Sequence, residues 1–307
     1  TANRRQRQMC IRDSLHSVIS RSLNVNENKL RLLSNQDSGG SFGIKQAILP
    51  MIVLTCLASR ISGKNIKWVE DRIEHLTAAS SATNRVTTIK AAVRRNGEIL
   101  ALDYDQIDDV GAYLRAPEPA SLYRMHGNLS GAYLVKNISC RNRVVLTNKT
   151  PTGLNRGFGG PQHYYALERL VHKIAVNLKL DRLAVIKLNL VKDKDFPYQS
   201  ASGALLDSGQ YKKLMDKVLK SNEFSDMKLR QNLAQKKGNL YGIGYAAIVE
   251  PSVSNMGYIT TAVPFKEREK SGHKGGAIAS ATVSIGPTGG IYVCLLYTSD
   301  AADDSQC

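Results

Sequence analysis

Two glycine-rich segments carry the residues of this sequence best suited to gripping a ligand. The first reads Gly39-Gly40-Ser41-Phe42-Gly43-Ile44-Lys45 and sits between an expected strand and an expected helix. Glycines let the backbone take positive φ and let a ligand approach with no Cβ in the way, while amides at a helix start hold an anion. That chemistry suits a phosphate or an oxo group, although a tight structural turn accounts for the same residues. The spacing is neither that of a Walker loop nor that of the dinucleotide GxGxxG fingerprint. The second segment, Asn155-Arg156-Gly157-Phe158-Gly159-Gly160-Pro161-Gln162, adds a cation. An arginine between glycines can fork onto an anion, and Phe158 offers a flat face to a planar ligand. An arginine capping a carbonyl and a phenylalanine in the core would read the same way. The histidines at 16, 75, 126, 163, 172 and 273 lack metal-ligand spacing, and only His163 stands beside a candidate loop.

The elements around these loops follow from periodicity and turn chemistry. Residues 15–23 have helical spacing, 29–33 alternate like a short strand, and 46–61 read as a mostly apolar helix closed by Gly63, of the kind normally buried. A strand is expected at 66–69. Residues 86–95 and 99–107 should form a hairpin around Asn96-Gly97. Residues 143–147 read as a strand entering the second glycine loop, and 164–178 as an amphipathic helix. Residues 193–203 are the candidate linker, followed by helices at 205–219 and 227–234. Strands are expected at 241–249, 257–261 and 277–285, with a turn at 286–289. Hairpins mixed with non-alternating helices predict an α+β fold with mixed sheets and packed helices.

The ends of the chain call for separate treatment. Residues 4–13 and 294–303, each with the start of the next codon, can be encoded by opposite strands of one DNA segment. A sequencing-library adapter at both ends of a fragment produces that relation, and protein chemistry does not. Residues 1–14 and 294–307 are therefore expected to be adapter-derived. The remaining ~280 residues suffice for one large domain or two ordinary ones without disulfides or a structural metal. Only Cys56 and Cys140 then remain, which indicates neither a disulfide framework nor a zinc site and favours a reducing, cytoplasmic setting. The tails contribute four arginines and four aspartates, so the net charge of +16 belongs to the central chain. Its lysines are scattered over 212–237 and 266–274 without interleaved aromatics, so a solvated surface is expected rather than nucleic-acid binding. No apolar run has the length of a membrane span; the longest, 47–58, contains Pro50.

Taken together, the loops resemble the molybdopterin-binding large subunits of the xanthine dehydrogenase and aldehyde oxidase family. The family pattern GGxFGxK matches residues 39–45, and RGFGGPQ matches 156–162, followed by Ala166-Leu167-Glu168-Arg169. The spacing between the loops, with an Asp-rich stretch at 106–113, is also similar, and the resemblance covers residues 15–293. It implies a first molybdopterin-binding domain at 15–196 and the start of a second at 204–293. The implied cofactor is molybdenum–molybdopterin, in its cytosine dinucleotide form. The implied activity is hydroxylation with oxygen from water, assisted by a glutamate base, with electrons passing to iron–sulfur clusters and FAD on partner subunits.

Carried over by position, Gly39, Gly40, Phe42, Gly43, Arg156 and Gly157 would hold the cofactor, and Gln46, Arg124 and Phe158 would line the substrate pocket. Two departures bear on the substrate. Gln46 stands where xanthine-specific enzymes carry a glutamate, and Gly157 stands where carbon monoxide dehydrogenases carry a copper-binding cysteine. Aldehydes or N-heterocycles are the class that remains. The family's glutamate base is expected downstream of Val293, and Glu250 lacks its motif, so no catalytic residue or metal ligand is assigned here. A non-catalytic cofactor-binding or assembly homologue is the alternative.

Overall fold

The structure is a computed structural model of the chain. It describes residues 16, 19–33, 43, 49–82, 84–114, 125–153, 155–249, 280–286 and 290–296. Residues 19–23 are helical, as their spacing predicts, with Ile19 and Leu23 buried. The expected strand at 29–33 is absent. A 3-10 turn spans Glu27–Lys29, held by the Asn26 side chain accepting from Asn28 N at 3.0 Å, and residues 30–33 pair with no strand. Helix α1 (Leu49–Ser62) matches the expected apolar helix. It is nevertheless far from buried, since Leu54 is 57% and Ile61 84% exposed. The strand expected at 66–69 is also missing, and α2 (Arg72–Ala78) follows instead. A capping box starts it. The Asp71 carboxylate accepts from Glu74 N at 2.8 Å, and that of Glu74 accepts from Asp71 N at 2.9 Å.

Strands β1 (Asn84–Val93) and β2 (Ile99–Asp109) form the expected antiparallel hairpin. Its turn needs glycine at position 97, where φ is +90° and an added Cβ would come within 3.1 Å of Leu180 and Val185. The third strand, β3 (Asn137–Val145), starts upstream of the expected 143–147 and adds to β2 in parallel, giving the order β1-β2-β3. Helix α3 (Gly160–Leu178) packs against β1 and against α4 (Arg182–Asn189). Leu102, Tyr104, Leu167, Val171, Ile174, Val185 and Ile186 belong to the core between them. Buried Asn189 ties α4 to the hairpin by accepting from Ile99 N at 2.8 Å and donating to Gly97 O at 2.9 Å.

The segment expected to be a linker is folded. A 3-10 turn covers Asp193–Asp195, and β4 (Tyr198–Gln199) pairs with β5 (Leu205–Leu206). Buried Ser200 donates to Gly127 O at 3.1 Å. That pairing takes residues 205–206 out of the expected helix, so α5 (Tyr211–Leu219) starts after Gly209. Helix α6 (Asn222–Lys236) is longer than expected, because the Ser221 side chain caps it at Phe224 N. Residues 241–249, expected as a strand, pair with no strand among the described residues. They dock through their carbonyls instead: Tyr164 donates to Val249 O, Arg182 to Tyr245 O, and Gln231 to Tyr241 O at 3.0 Å. Strands β6 (Ser280–Ile285) and β7 (Ile291–Leu296) form a separate hairpin. The turn expected at 286–289 and the strand at 257–261 lie wholly or partly outside the described residues. The fold is α+β with small mixed sheets and packed helices, as expected.

Candidate functional site

The second glycine loop is a tight turn that launches α3. Phe158 N donates to Asn155 O at 2.8 Å, and Gly160 N to Gly157 O at 2.7 Å. Gly157 and Gly159 take φ of +75° and +81°, and Gly159 is the N-cap of α3, with proline in the helix's first turn. A Cβ at Gly157 would lie 3.3 Å from Pro161 Cδ, so conformation and space both select glycine there. Arg156 is exposed and Phe158 half-buried. Together with Ala82, Gly153, Asn155, Pro161 and Gln162 they line a pocket of about 180 Å³ at the helix N-terminus. Ligand pockets commonly run to several hundred Å³, so this one can receive part of a ligand.

A strap fixes the loop from behind. Thr152 N donates to Val110 O at 3.1 Å, Gly153 N to Ser81 O at 3.0 Å, and Thr150 Oγ1 to Thr77 O at 3.0 Å. The strap passes so close to Gly111 that a Cβ there would sit 2.5 Å from Thr150 O. The loop is thereby pinned to the end of β2 and to the chain following α2.

Sequence reasoning missed a buried polar cluster under this end of the sheet. Along the covered face of β2, Leu102 and Tyr104 give way to Gln106 and Asp108, all at most 2% exposed. Arg85 on β1 forks onto Asp108 at 2.7 and 2.9 Å, and Asn142 on β3 donates to Asp108 at 2.9 Å. Burial and the Arg85 charge push the pKa of His126 down to about 4. Burial, then Arg85 and His126, push that of His163 to about 3. His163, singled out for its place beside the loop, is fully buried, its ring 5.8 Å from that of Tyr104. Farther along α3, buried Tyr133 donates to Glu168 at 2.7 Å, and burial raises the Glu168 pKa. The two-residue alternation of β2 was the signal that placed Gln106 and Asp108 inward.

Of the residues assigned from the resemblance, Arg156 and Phe158 line the pocket, and Gly157 stands between them in the turn without lining it. Gly43 has φ of +90°. Gly39, Gly40, Phe42, Gln46 and Arg124 lie outside the described residues. Among the described residues, no group of three or more histidine, cysteine or acidic side chains could hold a metal ion.

Comparison with known proteins gives this geometry a context. Residues 8–190 match the family model of the molybdopterin cofactor-binding domain. The carbon monoxide dehydrogenase large chain of Hydrogenophaga pseudoflava is 30% identical over 245 residues, which are 77% of this chain and 30% of that one. The nicotine 6-hydroxylase large subunit of Paenarthrobacter nicotinovorans is 28% identical over 242 residues, covering 78% of this chain and 29% of that subunit. The crystal structure of quinoline 2-oxidoreductase from Pseudomonas putida 86 superposes with a TM-score of 0.76 at 27% identity, over 91% of this chain and 34% of that one. The chain thus spans about 30% of the length of these curated relatives. Loop, strap and sheet therefore lie in a chain that belongs to the molybdopterin cofactor-binding domain family, of the kind found in the large subunits of carbon monoxide dehydrogenases, xanthine dehydrogenases and aldehyde oxidases.

Proposed function

We propose that the chain is part of the large subunit of a molybdenum hydroxylase acting on an aldehyde or an N-heterocycle. The observation that carries this reading is the turn at 156–160. Two left-handed glycines shape that turn, and the exposed Arg156, Phe158 and the first residues of α3 line one pocket beside it. The residues fit a pterin cofactor. A phosphate-bearing group suits a helix N-terminus beside a guanidinium, and a Cβ at Gly157 would crowd the turn. When bound, the group supplies the redox centre at which oxygen from water is transferred to carbon.

Arg156 and Gly157 hold the anionic edge of the cofactor, and Gly39, Gly40, Phe42 and Gly43 of the first loop share that role. Phe158 presents its ring to a planar substrate, with Arg124 and Gln46 completing the pocket. The neutral Gln46 disfavours xanthine. Gly157 disfavours a copper-dependent carbon monoxide activity, and a cysteine there would have to adopt a φ of +75° against Pro161. The cofactor is the cytosine dinucleotide form, and electrons pass to iron–sulfur and FAD subunits of a cytoplasmic complex. Among the described residues no helix is long and apolar enough to cross a membrane. The residues divide into a first cofactor-binding domain at 15–196 and the start of a second from 204.

The test is to purify the whole complex that contains this chain, measure molybdenum and pterin per large subunit, and assay aldehydes and N-heterocycles with an artificial electron acceptor. Stoichiometric cofactor with turnover supports the reading, and Arg156→Ala should then lower cofactor content. Cofactor without turnover on any of these substrates would favour a non-catalytic binding homologue.

A further inference from the structure

Helix α3 spans two unlike halves of the sheet. Leu167, Val171 and Ile174 cover its apolar end. The first turn, with His163, covers the end where cross-strand rows are polar: Thr87, Gln106 and Asn142 in one, Arg85 and Asp108 in the next. Gln106 is bracketed on β2 by Tyr104, which packs on His163, and by Asp108, whose partner Arg85 is felt at His163. It is fully buried, yet neither its amide oxygen nor its amide nitrogen has a hydrogen-bond partner. The same holds for Asn142 Oδ1 and Asn128 Oδ1, and the His163 ring faces the Asn128 backbone without reaching hydrogen-bond geometry.

Orphaned buried donors and acceptors each cost about 1–3 kcal/mol, and native proteins satisfy such groups with internal water bonded to roughly three partners. The local chemistry selects a neutral occupant. The Asp108 charge is already met by Arg85 and Asn142, both histidines are neutral, and a cation would face the guanidinium. We propose that Gln106, Asn128, Asn142 and His163 enclose an internal water site beneath the first turn of α3, and that by joining β2 to α3 this site positions the turn at 156–160. The positioning half rests on that turn holding the cofactor; the water site does not.

The test is a double-substitution cycle in the whole enzyme complex, read by Tm and by molybdenum and pterin content. Gln106→Met and His163→Phe should each lower Tm by roughly 5 °C, because each strands the polar groups left behind. The double substitution should cost clearly less than the sum, since it removes both partners of the shared water. His163→Gln, which keeps a donor and an acceptor, should stay near the wild-type Tm. The two single apolar variants should also lose cofactor. Additive Tm shifts, or a His163→Gln variant as damaged as His163→Phe, would overturn the water site. Coupled Tm shifts with unchanged cofactor content would overturn the positioning role. Coupling that persists while Arg156→Ala retains full cofactor would leave the water site standing and sink the cofactor reading of the loop.

Discussion

At the scale of single residues, glycine carries the sharpest constraint. Gly157 combines a φ of +75° with an added-Cβ distance of 3.3 Å to Pro161. An alanine in the left-handed region costs about 1–2 kcal/mol, so Gly157→Ala should lower the urea midpoint with an unchanged m-value and release cofactor from the complex. The turn at 156–160 was legible because a motif string marks it. Gln106, Asp108 and Arg85 were not, because polar residues on strands ordinarily face water, and the alternation that puts 106 and 108 on the face of Leu102 and Tyr104 was not followed past the apolar residues. Its histidines make a pH prediction. Their folded pKa values, about 4 for His126 and about 3 for His163, lie below the ordinary histidine value of 6.5. The unfolded chain therefore binds more protons between these values, and stability that is complete above pH 6.5 is lost as pH falls toward 4 and then 3. Glu168 acts with the opposite sign, because its raised pKa withdraws stability as pH increases through it. A Tm series from pH 7 to pH 4 should fall steadily in the wild type and less steeply in His163→Gln. Equal slopes would mean that His163 is not held neutral.

At the scale of elements, local chemistry told more than hydrophobicity did. The hairpin was legible from Asn96-Gly97, and α3 from its apolar stripe, although its true start at Gly160 was read as part of the glycine loop. Helix α2 went unread, although Asp71 and Glu74 form an Asp-x-x-Glu capping box, while the apolar residues at 66–69 suggested a strand that nothing pairs with among the described residues. Residues 241–249 repeat the lesson. Their alternation fits extended backbone, but strand identity depends on a partner, and here the anchors are side chains of Tyr164, Arg182 and Gln231. The anchor between hairpin and helix is Asn189, whose amide satisfies the Ile99 N–H and the Gly97 carbonyl at once. Asn189→Ala orphans both groups and should cost about 2–4 kcal/mol, seen as a lower urea midpoint. Hydrogen exchange at Ile99 should rise in step. Unchanged protection at Ile99 would show that the hairpin end does not depend on α4.

At the scale of the whole molecule, the α+β class was legible from the mixture of hairpins and helices, but the distribution of exposed apolar surface was not. The sequence at 46–61 suggests a buried helix, yet Leu54, Ile61, Ile73, Leu76 and Val69 are all more than half exposed, and Trp68 is 41% exposed. Burial depends on what packs against a helix, and this chain spans about 30% of the length of its relatives. Exposed apolar surface on this scale drives association in water. The 307-residue chain on its own should therefore self-associate, and Leu54→Lys with Ile61→Lys should shift it toward monomer in sedimentation velocity. Because both side chains face solvent, the double substitution should leave Tm within about 1 °C. Trp68 is the sole tryptophan, so it reports the same surface optically. Acrylamide should quench it readily in the monomeric variant and less readily in the associated wild type. A Tm drop of the size expected for a core substitution, about 5 °C or more, would show instead that α1 is packed within the chain itself and that its exposed face does not drive association.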